Sequence, residues 1–181
     1  MGYPVREFPG RALPSMDLTV LEAAEPEAGV LAGLIAAAFA GVAERFMVTR
    51  DTCPSHPAFV TADRIRHSLS RGTVYLMARQ AGQPCGCIGI GIGSSATDAC
   101  ALERLAVLPG WRRRGIGGRL LDRAVDTARA HGCRRVEVGL IAAHAELWAW
   151  YEARGFRFTC RTSYPHLPFD VAHLRLDLSS S

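Results

Sequence analysis

The chain contains no lysine; all 21 of its strongly basic residues are arginine, set against 17 acids for a net charge of +4. A P-loop is therefore excluded, because its Gly-Lys-Ser/Thr ending is missing. The arginine excess suits an anionic ligand. It does not read as a nucleic-acid surface: the one arginine run, Arg112–Arg114, is short and has no aromatic residues interleaved as stacking platforms. No run of about 18 consecutive apolar residues occurs, so no membrane span is expected. No basic-then-apolar leader opens the sequence, so secretion is not indicated. The six cysteines, at 53, 85, 87, 100, 133 and 160, form no CxxC pair. Free thiols in a reducing cytoplasm are the expectation. Cys53 and His56 have a ligand-like spacing, but no second pair lies near them in sequence, and no metal site is expected.

At 181 residues, 49% apolar and 21% charged, the chain is long enough to bury one substantial core. Residues 1–15 read as a flexible leader, 16–178 as the folded domain and 179–181 as a frayed tail. The most informative stretch is LERLAVLPGWRRRGIGGRLL, Leu102 to Leu121. Leu102 to Leu108 is a short apolar run of strand type, ended by Pro109 and Gly110. Gly115 then opens a helix. Ile116, Leu120, Leu121, Ala124, Val125 and Ala128 share one face of it, and charged residues occupy the other.

The join between this strand and helix is where chemistry is expected. First-turn N–H groups of a helix have no intrahelical partner, and glycines at 115, 117 and 118 let an anion approach them. Arg112, Arg113 and Arg114 add forked donors suited to phosphate. Two readings stand at this point: a pyrophosphate cradle, or a glycine-rich turn with a solvated basic face. A dinucleotide-binding fingerprint is disfavoured. Leu120 occupies its third small position, and too little chain follows for a doubly wound domain, although Glu137 stands at a plausible ribose distance.

Periodicity assigns a strand at 17–23, helices at 28–40 and 62–71, and a hairpin from 73–79 and 86–92. The central strand, loop and helix follow. A strand at 134–141, a helix at 145–153, and strands at 156–163 and 171–178 close the chain. The segment 41–60 is apolar and proline-broken, and reads as an irregular loop.

Arg112, Gly115 and Gly117 fit the pattern Arg/Gln-x-x-Gly-x-Gly/Ala. With this element order, the chain resembles the GNAT family of acetyl-CoA-dependent N-acetyltransferases. A second segment, HAELWAWYEARGF from His144 to Phe156, is similar to another motif of that family at Tyr151, Glu152, Gly155 and Phe156. His144 stands where asparagine is common in the family, and Leu147 replaces a small residue.

The resemblance implies an α/β single domain with a mixed, mostly antiparallel sheet of about seven strands flanked by helices. It implies acetyl-CoA as cosubstrate, held by Leu105, Ala106 and Val107 of the fourth strand, by Arg112, Arg113, Arg114, Gly115, Ile116, Gly117 and Gly118, and by His144. It implies splayed fourth and fifth strands, a backbone N–H near Val107 on the thioester carbonyl, and Tyr151 as general acid toward the thiolate. Relatives use a glutamate base on the fourth strand at a position that is Ala101 here. Glu103 is the candidate instead; strict alternation puts it on the same side as Val107. His144 and His166 are lesser candidates. Cys100 has no identifiable activating base as a nucleophile.

The acceptor is then a primary amine of a small molecule, peptide or protein. Tyr164, His166 and Phe169, with Phe46, Met47 and Phe59, are candidates to line its pocket. The alternative is a non-catalytic acyl-CoA-binding sensor. Neither nucleic acid nor membrane is an expected partner, and nothing in the sequence argues for or against a homodimer.

Overall fold

A computed structural model describes residues 18–92 and 98–178. The leader at 1–15, most of the turn expected at 94–98 and the tail at 179–181 lie outside the described residues. The elements run β1 (Leu18–Glu22), α1 (Ala28–Arg45), α2 (Ala62–Ser70), β2 (Thr73–Gln80), β3 (Gln83–Ile92), β4 (Ala99–Val107), α3 (Ile116–Ala130), β5 (Arg135–Ile141), α4 (Ala145–Glu152), β6 (Arg157–Ser163) and β7 (Asp170–Asp177). This is the order expected from the sequence.

One seven-stranded sheet holds them, in the order β1-β2-β3-β4-β5-β7-β6. Only β4 and β5 pair in parallel; the other neighbours are antiparallel. The parallel pair needs a crossover, and α3 supplies it.

Each face of the sheet buries its own core. Ile116, Leu120, Leu121, Ala124 and Val125 of α3 pack on Leu76, Ile88, Ile90 and Leu102. Leu31, Leu34 and Ile35 of α1, with Ile65 of α2, pack on Tyr75, Met77, Cys87 and Ala106. The alternation of these strand residues between the two clusters is the period of two expected of a sheet covered on both sides.

α1 runs five residues past the expected end at Ala40, because Ala43 finds a buried seat that offsets the propensity cost of Gly41. By length and composition this helix is apolar enough to cross a membrane, which reading by uninterrupted apolar runs missed. In this fold its apolar side covers the sheet.

Two features of β4 set up the site. Its register against β3 shifts between Cys87 and Gly89. Opposite that shift Arg104 sits at φ +52°, the left-handed region. This is a β-bulge, which adds a residue and bends the strand. β4 also stays paired with β5 only from Ala99 to Leu102. Beyond that point the two strands part, as the resemblance implied.

The expectation of six free thiols is corrected. Cys100 and Cys133 are joined by a disulfide, with Cα atoms 6.0 Å apart. It ties the start of β4 to the turn entering β5. A sequence separation of 33 residues carries no spacing signal; the parallel pairing of β4 with β5 brings the two together. Cys100 is thereby excluded as a nucleophile. Cys53, Cys85 and Cys87 are buried, and burial pushes the Cys87 thiol up to about 12, while Cys160 is exposed. Iodoacetamide on the native protein is therefore expected to label Cys160 first, read by peptide mass spectrometry.

Gly89 is dictated by packing. A Cβ there would stand 2.9 Å from the buried Tyr75 ring. Gly89→Ala is expected to lower stability by about 1–3 kcal/mol, measured by denaturant unfolding.

Candidate active site

The loop after β4 folds as a short 3-10 turn, Pro109–Trp111. Arg113 follows at φ +60° and Gly115 at φ +79°, which cap the entry to α3. Gly115 is the N-cap and supplies no side chain to the helix donors. As a result the backbone N–H groups of residues 113–118 make no hydrogen bond to any of the described residues. The first donor to close is Arg119, on the Gly115 carbonyl. Such a run of free donors at a helix start is an anion site.

These donors rim a cleft of about 600 Å³. Its walls include Leu105, Ala106 and Val107 from β4, Arg112, Arg113, Gly115, Ile116, Gly117 and Gly118 from the loop and α3, and His144. Of the residues expected to hold the cosubstrate, only Arg114 is absent from the wall; its guanidinium stacks 4.9 Å from the Trp111 ring centre. Arg112 lines the cleft, but its guanidinium is spent on structure. Nε donates to the Val107 carbonyl at 3.1 Å, and Nη2 donates to the Ala38 carbonyl at 2.7 Å, tying β4 to α1.

Packing does not explain the glycines of the first helical turn. A Cβ on Gly117 would meet Trp150 at 3.6 Å, and one on Gly118 would meet Arg154 at 3.6 Å, both ordinary contacts. What a side chain there takes up is the space over the free donors. The opposite wall was not anticipated from the sequence. Trp150 and Arg154 stand one helical turn apart, with the guanidinium 3.8 Å from the indole centre. Their i, i+4 spacing was the available signal.

A second cavity of about 250 Å³ lies where β4 and β5 part. It shares Phe39, Val42, Leu105, His144 and Leu147 with the cleft. Tyr151 lines it and is only 2% exposed. The Tyr151 hydroxyl has no hydrogen-bond partner in the protein, yet no buried side-chain oxygen or nitrogen among the described residues is orphaned. Its oxygen therefore opens into the cavity. Burial raises this phenol above its ordinary value, partly opposed by Arg154. It enters the cavity as a neutral hydrogen-bond donor.

Glu103 is placed differently from the expectation. The bulge at Arg104 inverts the alternation, so Glu103 and Val107 face opposite sides of the sheet. Val107 packs with the α3 core, 3.8 Å from where a Gly117 Cβ would be, whereas Glu103 sits against Gly91 on the α1 side. Glu103 lines neither cavity. Arg104 holds its carboxylate at 2.8 Å and also donates to the Tyr75 hydroxyl.

His144 is the N-cap of α4; its Nδ1 lies 3.4 Å from the Leu147 N–H and 3.4 Å from a Glu146 carboxylate oxygen. Arg45 grips that carboxylate from the end of α1 at 3.1 Å. Burial and then Arg45 lower the His144 pKa. His56 was set aside in the sequence with the zinc reading, yet it lines the smaller cavity at 5% exposure. Its Nδ1 accepts the Ala58 N–H at 3.2 Å. Burial lowers its pKa too.

Of the residues expected around the acceptor, Phe169 lines the smaller cavity. Phe46 and Phe59 pack in a separate cluster around Cys53, Met47 is exposed, and the Tyr164 and His166 rings meet at a tilt, all off both cavity walls.

An uncapped helix start beside parted strands suits an extended anionic ligand, with a second cavity adjoining. Residues 37–156 match the family model "Acetyltransferase (GNAT) family". Probable N-acetyltransferase 14 of Bos taurus is 42% identical over 59 residues, which cover 33% of this chain and 29% of that relative. A GNAT acetyltransferase from Staphylococcus aureus Mu50 superposes with a TM-score of 0.68 at 22% identity, over 90% of this chain and 100% of that one. A protein from Salmonella typhimurium, solved with its cofactor acetyl-CoA, gives a TM-score of 0.67 at 18% identity, over 91% and 95%. The ribosomal-protein-S18-alanine N-acetyltransferase of Escherichia coli gives 0.71 at 16% identity, over 91% and 96%. The chain belongs to the GNAT family of acetyltransferases.

The lowered histidines carry a stability consequence. Below a pH of about 6.5 the unfolded chain binds protons at His56 and His144 that the folded chain resists. Stability is thus expected to hold level above that pH and to fall as pH drops through it. Glu27 and Asp170, whose carboxyls are lowered by their hydrogen bonds, lose their contribution only at more acidic pH. Urea midpoints across pH 5–8 check this, and His56→Asn should flatten the decline.

Proposed function

We propose that the protein moves an acetyl group from acetyl-CoA to a primary amine by direct attack, without an acyl-enzyme. The observation that carries this reading is the row of free N–H groups at 113–118 on the rim of a cleft that leads to the Tyr151 hydroxyl.

In this reading the diphosphate of the coenzyme sits on those donors, with Arg113 beside it. The pantetheine arm runs along Leu105–Val107, where β4 has left β5 and, apart from the Val107 carbonyl that Arg112 holds, leaves backbone groups for its amides to meet. A backbone N–H near Val107 polarises the thioester carbonyl. His144, at the junction of the two cavities, takes the place of the family's asparagine against the arm.

When the amine attacks, charge gathers on sulfur. Tyr151 is the group placed to donate to it. The phenol's raised pKa keeps the proton on oxygen until that charge develops. The reaction gains further from holding both partners in adjoining cavities. Glu103 lines neither cavity; its carboxylate is held at 2.8 Å by Arg104, which itself stands on the wall of the smaller one, so it is not assigned the amine's proton in this reading.

Thermal denaturation with acetyl-CoA tests the cleft: the melting temperature should rise at millimolar ligand, because only the native state binds it. Tyr151→Phe should lower kcat by about 10²-fold, in the range of general-acid effects, with little change in that thermal shift; equal turnover would remove the acid role. Gly117→Val should abolish the thermal shift while the protein itself stays folded.

A further inference from the structure

The smaller cavity has a chemical bias that narrows the acceptor. We propose that it selects a weakly basic amine flanked by a carbonyl and an apolar side chain, as in an amino-acid amide or a peptide N-terminus, with His56 Nε2–H donating to that carbonyl. This rests on the reading of the cleft as the acetyl-CoA site.

Three observations converge. First, no aspartate or glutamate among the described residues lines the cavity. The nearby carboxylates are already paired, Glu103 with Arg104 and Glu146 with Arg45, and Arg104 lies on the cavity wall, where its charge repels an ammonium. An alkylammonium entering among Phe39, Val42, Phe169 and Val171 would leave its charge without a partner, which is costly away from water. The amine must therefore arrive neutral. At pH 7 about one α-amine in ten is neutral, against about one lysine-type amine in 2,500.

Second, the cavity offers donors. The His56 Nδ1 lone pair is occupied by the Ala58 N–H, so the neutral ring carries its proton on Nε2. That nitrogen has no partner in the protein, and no buried side-chain nitrogen among the described residues is orphaned, so it opens into the cavity its residue lines. A simple neutral amine has only its lone pair to offer this donor, and that pair is needed for attack; a carbonyl beside the amine can accept the bond and leave the pair free. The same tautomer makes His56 a poor base, because a second proton on Nδ1 displaces the Ala58 bond. Third, a volume of about 250 Å³ takes one apolar side chain with its amine and carbonyl, the rest of a peptide extending beyond it.

The proton balance needs no added base. The nitrogen bonds the acetyl carbon, the carbon–sulfur bond breaks, and the proton lost by nitrogen ends on sulfur. The Tyr151 hydroxyl gives its proton to sulfur and takes the one from nitrogen.

The test is free-thiol release at pH 7.5 from the full chain with acetyl-CoA. The acceptors are leucinamide, a leucine-initiated tripeptide, 3-methylbutylamine and Nα-acetyl-lysinamide. Leucinamide or the tripeptide should exceed both alkylamines in kcat/KM by about 10²-fold or more. Activity on leucinamide marks a small-molecule acceptor; activity on the tripeptide alone marks a polypeptide end. His56→Asn keeps an oxygen for the Ala58 N–H but cannot reach the substrate. In it the preference for leucinamide over 3-methylbutylamine should shrink by about tenfold, with the melting temperature held. A loss of folding alone would lower both rates together and leave their ratio.

Alkylamines used as well as leucinamide would overturn the proposal, as would an unchanged ratio in His56→Asn. Stabilisation by acetyl-CoA with no turnover of any α-amine would overturn it while leaving the cleft intact. Absence of that stabilisation would bring down the cleft reading and this one with it.

Discussion

The parting of β4 from β5 is the constraint on which the rest of the molecule turns. Two parallel strands paired from Ala99 to Leu102 separate beyond it. Their separation opens a wedge in the middle of a sheet that is otherwise continuous. A wedge in a sheet exposes backbone groups with no ladder partner, and such groups are tolerated only where water or a ligand can meet them. The bulge at Arg104 bends β4 at the same point, and the disulfide between Cys100 and Cys133 holds the strand roots together below it. Everything that carries chemistry is arranged around this opening: the helix start on one side, α4 with Tyr151 on the other, α1 across the mouth.

The helix start and the wedge do different work. At 113–118 the backbone itself presents the free donors, and two left-handed residues, Arg113 and Gly115, keep six of them from closing on their own chain. Arg112, the first residue of the motif, binds two carbonyls and so fixes the loop to β4 and α1. At the wedge the roles reverse. Tyr151 and His56 are almost wholly enclosed, and a single polar atom of each opens into the space between the strands. An uncharged donor in an apolar cavity acts strongly because no water competes with it.

Much of this was legible in the residues. The apolar stripe of α3, the break at Pro109–Gly110 and the glycines at 115, 117 and 118 identified the loop, its helix and the unpaired donors where they meet, since local periodicity and local backbone freedom decide those features. Tyr151 was legible from its motif. Glu103 was misplaced because a period of two holds only along an unbroken strand, and a bulge is a departure that Arg104, unlike a glycine, does not announce. His56 was passed over because its meaning depends on Ala58 satisfying one nitrogen and on β5 and β7 bringing a cavity to the other. The Cys100–Cys133 bond was invisible for a similar reason, being made by strand pairing across a helix.

The sequence by itself determined the element order, the two-sided burial of the sheet and the unpaired donors at the α3 start, because each depends on neighbours a few residues apart. Tertiary structure alone decided which side of β4 the acid faces, which aromatic and histidine share a cavity, and that no carboxylate enters it. Those outcomes depend on where one strand bends and where two part, and contacts between distant segments settle both.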